Sequence, residues 1–238
     1  GGLPHSAIAD FISDITNRYV GIWPAAPGLV QIETNVIRWF CDMVDYPDDA
    51  LGFLTTGGSM ANFSAIVAAR TTKLGEDFLS GCIYVSDQVH HSMTKAALMG
   101  GFPARSIRVI PTNQAFQMIP QALEEAIEAD RVAGLTPLMV VGSAGTTNTG
   151  AIDPLDEVAE IAAENGVWLH VDGSYGAPAV ITEEYSWMAR AFSKADSLSL
   201  DPHKWLFAPV DAGCILIRDD RDAERAFTLF SEYTEITR

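Results

Sequence analysis

Four short runs of this chain gather side chains able to do covalent and acid–base chemistry. The run Asp196-Ser197-Leu198-Ser199-Leu200-Asp201-Pro202-His203-Lys204-Trp205 is strand-like and delivers a lysine between a histidine and a tryptophan. An amine in partly apolar surroundings binds its proton less well and becomes a nucleophile toward an aldehyde. Most lysines are solvated surface groups, but Trp205, Leu206 and Phe207 follow Lys204 and make a poor setting for a solvated charge. In His170-Val171-Asp172-Gly173-Ser174-Tyr175 an acidic residue ends an apolar strand. Burying that carboxylate requires a cationic or hydrogen-bonding partner. A protonated ring nitrogen of a heteroaromatic cofactor fits, because the carboxylate keeps the ring charged and able to accept electrons. A metal ion or a helix cap are the alternatives.

The other two runs suit binding. Thr55-Thr56-Gly57-Gly58-Ser59-Met60-Ala61-Asn62 opens into an apolar-periodic stretch. Its glycines let the backbone approach a ligand, and Ser59 is placed to cap the helix and face an anion. The same pattern serves a plain turn with an N-cap, and no Gly-Lys-Ser/Thr follows to make a P-loop. Ser86-Asp87-Gln88-Val89-His90-His91-Ser92 holds two adjacent histidines, which share no face of a helix or a strand and so do not chelate one metal together. A single histidine there could lie flat on an aromatic cofactor or serve as a loop or cap residue.

These runs need a frame. Apolar runs at 82–85, 107–110, 138–141, 167–171 and 214–217 alternate with helix-like stretches at 59–74, 119–128 and 155–164. Strands of that composition suit a sheet covered on both faces, and the alternation predicts an α/β fold with a largely parallel sheet. In such sheets ligands sit beyond the carboxyl ends of the strands, where all four runs fall. The first forty residues, with Ile8, Phe11, Ile12 and Ile15 at helical spacing, are expected to form helices docked on the core. Residues 1–238 read as one domain.

Composition narrows the partners. The net charge is −16, with 15 basic against 31 acidic residues and no basic cluster, so nucleic acid and anionic membranes are excluded as expected partners. An anion must then be held by backbone N–H groups and a helix end. No apolar run approaches the roughly 20 residues needed to span a bilayer. Cys41, Cys82 and Cys214 are scattered and form no C-x-x-C pair, which predicts reduced, buried thiols and no metal site. The expectation is a soluble, cytoplasmic protein.

Taken in order, the four runs resemble the group II pyridoxal-5′-phosphate decarboxylases of amino acids. Asp172 precedes Lys204 by 32 residues, in keeping with the family's spacing, and Asp201-Pro202-His203-Lys204-Trp205 is similar to its cofactor-lysine signature. The resemblance implies the type I fold of pyridoxal-phosphate enzymes: a large domain with a mostly parallel central sheet flanked by helices. It implies pyridoxal 5′-phosphate as cofactor, Lys204 as its covalent anchor, and Asp172 on its ring nitrogen. It also implies His90 stacked on the ring, Gly58, Ser59 and His203 at the phosphate, and Thr147 of Gly145-Thr146-Thr147 near the cofactor. Gly173-Ser174 stands where relatives commonly have Ala-Ala, and is expected to leave room beneath the ring and add the Ser174 hydroxyl. Decarboxylation of an L-amino acid is implied, with Pro202-His203-Lys204-Trp205-Leu206 closer to the aromatic branch. Other enzymes of the fold, a carbon–carbon lyase or aminotransferase, and a cofactor-binding chain without turnover are the alternatives. A homodimer is implied, and the family's C-terminal small domain and mobile loop are absent, so Tyr233 receives no role.

Overall fold

The computed structural model describes residues 2–228; Tyr233 lies outside them. Seven strands, β1 (Leu51–Thr55), β2 (Gly81–Ser86), β3 (Ile107–Ile110), β4 (Thr136–Ser143), β5 (Trp168–Asp172), β6 (Ser197–Leu200) and β7 (Gly213–Ile217), form one sheet in the order β1-β7-β6-β5-β4-β2-β3. The central pairs are parallel, and β7 alone runs against its neighbours β1 and β6. Both faces are covered: Val140, Leu169 and Val171 belong to one core layer, and Met139, Val141 and Trp168 to the other. That two-sided burial is why the strands read as continuous apolar runs.

The helices are α1 (Pro4–Thr16), α2 (Pro27–Met43), α3 (Gly58–Lys73), α4 (His91–Met99), α5 (Pro120–Val132), α6 (Leu155–Asn165), α7 (Met188–Phe192) and α8 (Asp220–Phe227). Helix α3 is the one that matters most for the site. Its buried face is made of small residues, Ala61, Ala65, Ala68 and Ala69, which bring its axis close to the sheet. Four elements were not read from the sequence: β1, whose residues are mostly partly exposed, and the short helices α4, α7 and α8.

The N-terminal segment departs from expectation. Helix α2 packs on the core through Ile37 and Cys41, whereas α1 buries none of its residues. Ile8, Phe11, Ile12 and Ile15, expected to dock, are 58 to 68% exposed. Helical periodicity marks an apolar stripe but not what covers it. The three cysteines are free and buried. Among the described residues no helix is long and apolar enough to cross a membrane, and no group of three or more His, Cys, Asp or Glu is placed to hold a metal ion.

Candidate active site

Strand direction assembles the site. The carboxyl ends of β1, β2, β4, β5 and β6 all open on one side of the sheet, so the loops after them converge. Together they line a cavity of about 460 Å3 that includes Gly58, Ser59, His90, Thr147, Asp172, Ser174, His203 and Lys204. The eight residues singled out from the sequence thus meet in one place, although 146 positions separate Gly58 from Lys204.

Asp172 is held by three donors. Ser199 Oγ donates to Oδ1 at 3.1 Å, the Ser174 N–H donates to Oδ1 at 3.2 Å, and Asn62 Nδ2 donates to Oδ2 at 3.0 Å. Burial pushes the carboxyl upward, yet His170 and the bonds from Ser174 and Asn62 more than reverse this, and its pKa lies below the ordinary carboxylate value. Burial also lowers the His170 pKa to about 4, so at neutral pH that ring is uncharged and the hydrogen bonds hold the carboxylate. A carboxylate offers about four acceptor positions, and three are filled.

Lys204 is half-buried, its Nζ 2.8 Å from Asp201 Oδ2. Here the sequence-based reasoning needs correcting: Trp205, Leu206 and Phe207 do not enclose the amine but are 36 to 46% exposed themselves. Lys204 is placed by the turn after β6 and by Asp201, which is 2% exposed and had been given no role. Burial raises the Asp201 pKa against the opposing pull of Lys204 and His203, and its Oδ1 has no hydrogen-bond partner among the described residues. His203 Nδ1 accepts from the Ala212 N–H at 2.8 Å, so a neutral His203 carries its proton on Nε2.

The glycine turn is built for close approach. Gly57 has φ +131°, in the region that favours glycine. A Cβ on Gly58 would stand 2.4 Å from Ser174 Oγ and 3.0 Å from Asp201 Oδ2. Gly57, not Ser59, occupies the N-cap, and no side chain caps α3. Ser59 lies inside the first turn, exposed to the cavity, because the helix begins two residues earlier than the capping pattern suggested. The first-turn amides of this 16-residue helix therefore face the cavity without a capping side chain.

His90 is the N-cap of α4, with Nδ1 accepting from the Ser92 N–H at 3.3 Å and lying 2.8 Å from Ser92 Oγ. Burial, then the neighbouring His91, lower its pKa. The two rings approach to 4.1 Å between centroids, against the expectation that they diverge. His90 has extended backbone at the cap, so the regular helical spacing starts only at His91. Thr147 is exposed at the rim. Nearby Asp153 is structural: it accepts from the N–H groups of Met118 at 2.7 Å and Ser143 at 2.8 Å, stapling the end of β4.

The Gly173-Ser174 pair has a local cause different from the one expected. A Cβ at Gly173 would lie 2.6 Å from the Ala177 side chain, so the glycine fits the chain against itself and opens no space under a ligand. The Ser174 hydroxyl lies 3.1 Å from Ser199 Oγ, one step from Asp172. Besides Asp201, Asn62 and His170 reached this site unnoticed. Both are buried polar residues, and His170 interrupts an apolar strand, which was the available signal.

Residues 3–238 match the model of the pyridoxal-dependent decarboxylase conserved domain. The aromatic-L-amino-acid decarboxylase of Bacillus atrophaeus is 43% identical over 95% of this chain and 47% of its own length. The enzyme of the same name from Catharanthus roseus is 34% identical over 95% of this chain and 48% of its own. Among solved structures, Oryza sativa TDC with PLP and tryptamine superposes with a TM-score of 0.91 at 30% identity, covering 98% of this chain and 51% of that one. Catharanthus roseus tryptophan decarboxylase in complex with L-tryptophan gives 0.90 at 32% identity, covering 97% and 52%. The chain spans about half the length of the curated relatives it matches.

Proposed function

The chain belongs to the pyridoxal-dependent decarboxylase family, and on that premise we propose that it is the cofactor-binding large domain of an enzyme that releases CO2 from an aromatic L-amino acid to leave the amine. The observation that carries this reading is the meeting of Lys204, Asp172 and His90 in one cavity. The residues present fit pyridoxal 5′-phosphate. Asp172 keeps one acceptor position for a ring N–H, Lys204 presents a primary amine, and the space at Gly58, which a Cβ would fill, lies at the start of a helix suited to a phosphate.

Pyridoxal phosphate, when bound, supplies an electron-poor ring that takes up the electron pair of the bond broken at the substrate Cα. The protein's part is to hold and tune. Lys204 would anchor the aldehyde carbon, and Asp172, ionised at neutral pH, would hold the ring-nitrogen proton. The α3 amides of Gly58 and Ser59, with His203 Nε2, would receive the phosphate. His90 would lie against the ring and Thr147 at the rim, while the Ser174 hydroxyl steadies Asp172 through Ser199. The substrate class rests on the relatives named for aromatic amino acids and on Pro202-His203-Lys204-Trp205-Leu206. A cytoplasmic homodimer is part of the same proposal; the exposed apolar residues of α1 support the dimer alone.

The test is direct. Protein loaded with pyridoxal phosphate is reduced with borohydride and mapped, with label expected on Lys204. Aromatic amino acids are then supplied while CO2 and amine are measured against amino-group transfer to a keto acid. A folded protein that takes no label on Lys204 overturns the reading, and transfer without CO2 release assigns the other chemistry of the fold.

A further inference from the structure

A buried chain of hydrogen bonds runs from the core to the floor of the cavity, and its direction can be worked out. Trp168 Nε1, which can only donate, lies 2.8 Å from Ser197 Oγ. The ring of His170, fully buried, places Nδ1 2.9 Å from that oxygen and Nε2 3.0 Å from Asn62 Oδ1. The Asn62 amide nitrogen then reaches both Asp172 Oδ2 and Ser92 Oγ at 3.0 Å. Because Asp172 is a carboxylate, Asn62 must turn its NH2 toward it and its oxygen toward His170. His170 Nε2 therefore donates, and Nδ1 accepts the Ser197 hydroxyl proton. Both Asn62 hydrogens are used, which leaves the Ser92 proton for His90 Nδ1 at 2.8 Å. Every link points from Trp168 toward the cavity.

Strand geometry builds this chain. Side chains two apart share a face, so Trp168, His170 and Asp172 of β5 all look toward α3. The β5–β6 register sets His170 beside Ser197 and Asp172 beside Ser199.

We propose that Asn62, held in one orientation by His170, is the positioning residue that sets the Asp172 carboxylate and the His90 ring together. One amide thus spans the group that holds the ring nitrogen and the group that lies on the ring face. A neutral His170 is required, since a protonated ring has no acceptor for Ser197. The inference rests on the cofactor reading above.

The experiment compares three variants of the protein with the parent for pyridoxal phosphate affinity and for the visible spectrum of the bound cofactor. His170→Leu removes the donor to Asn62, and His170→Gln keeps a donor near the Nε2 position. Ser197→Ala, a small replacement remote from the cavity, removes the proton that fixes the His170 tautomer together with the acceptor of the Trp168 Nε1–H. Losing the neutral hydrogen bond that orients Asn62 predicts affinity lower by roughly two- to tenfold in His170→Leu. Recovery of most of that in His170→Gln, and an intermediate loss in Ser197→Ala, are expected, with the bound spectrum altered in the same order. If the parent fails to place cofactor on Lys204, the functional reading falls. If the parent binds and folded Ser197→Ala and His170→Leu match its affinity and spectrum, the positioning role falls. Equal losses in His170→Leu and His170→Gln would also overturn it, because a purely packing role does not distinguish a donor from an alkyl group in that way.

Discussion

At the scale of single residues, the site is a set of groups held in one protonation state by their neighbours. Asp172 stays ionised through three hydrogen bonds, so Asp172→Asn is expected to lower turnover at least about a hundredfold, as when a preorganised electrostatic partner is lost; steady-state kinetics on cofactor-saturated enzyme measure it. Gly58→Ala drives a methyl into Ser174 Oγ. It should weaken cofactor binding strongly, with partial recovery in the Gly58→Ala/Ser174→Ala double variant, read by fluorescence titration. His170 gives a pH signature. Burial lowers its pKa from 6.5 to about 4, so the unfolded chain binds a proton in that window and the folded one does not. Its contribution is fully present above about pH 6.5 and declines by about 3 kcal/mol as the pH falls toward 4. Urea unfolding of the parent across this range should show the loss, and His170→Gln should flatten it. These effects could not be read along the chain, because Asn62 and Ser199 are far from Asp172 in sequence and meet it only where α3 and β6 pack beside β5.

At the scale of elements, β7 and α3 are packed backbone to backbone. A Cβ at Gly213 would lie 2.5 Å from Gly57 Cα, where no side chain can yield. Gly213→Ala is therefore expected to destabilise the fold by about 1–3 kcal/mol and to disturb the turn before α3, checked by thermal unfolding with and without cofactor. The strands and long helices were legible because their apolar periods are strong and the sheet is buried on both sides. The cap of α3 was misjudged by two residues because a Gly-Gly-Ser run offers more than one cap position, and only the close approach of β7 and Ser174 makes Gly57 the one that fits. Helix α4 was missed because its cap is a histidine, an uncommon N-cap whose ring nitrogen accepts from the Ser92 N–H in place of a hydroxyl or carboxylate.

At the scale of the molecule, α1 is the conspicuous element. It touches the turn after Lys204, where Ser6 Oγ donates to the Phe207 carbonyl at 2.8 Å, yet buries none of its own side chains. Phe11, 64% exposed, should tolerate Phe11→Asp with a change in fold stability within about 0.5 kcal/mol. If α1 joins two copies, the same substitution lowers the association state, seen by light scattering coupled to gel filtration. An unchanged dimer would remove α1 from the proposed interface.

The sequence by itself determined the α/β class, the order of the chemical runs along the chain, and eight of the residues that line the cavity. Those are carried by local period and by residue types whose chemistry has few substitutes, a lysine for an aldehyde and a carboxylate for a ring cation. Tertiary structure alone decided what surrounds them. That Lys204 faces Asp201 and not its apolar neighbours, that Gly173 is required by Ala177, and that Asp172 answers to His170 through Asn62 all depend on the register between strands and the distance from α3 to the sheet. Those quantities come from packing between residues remote in sequence, and no local pattern encodes them.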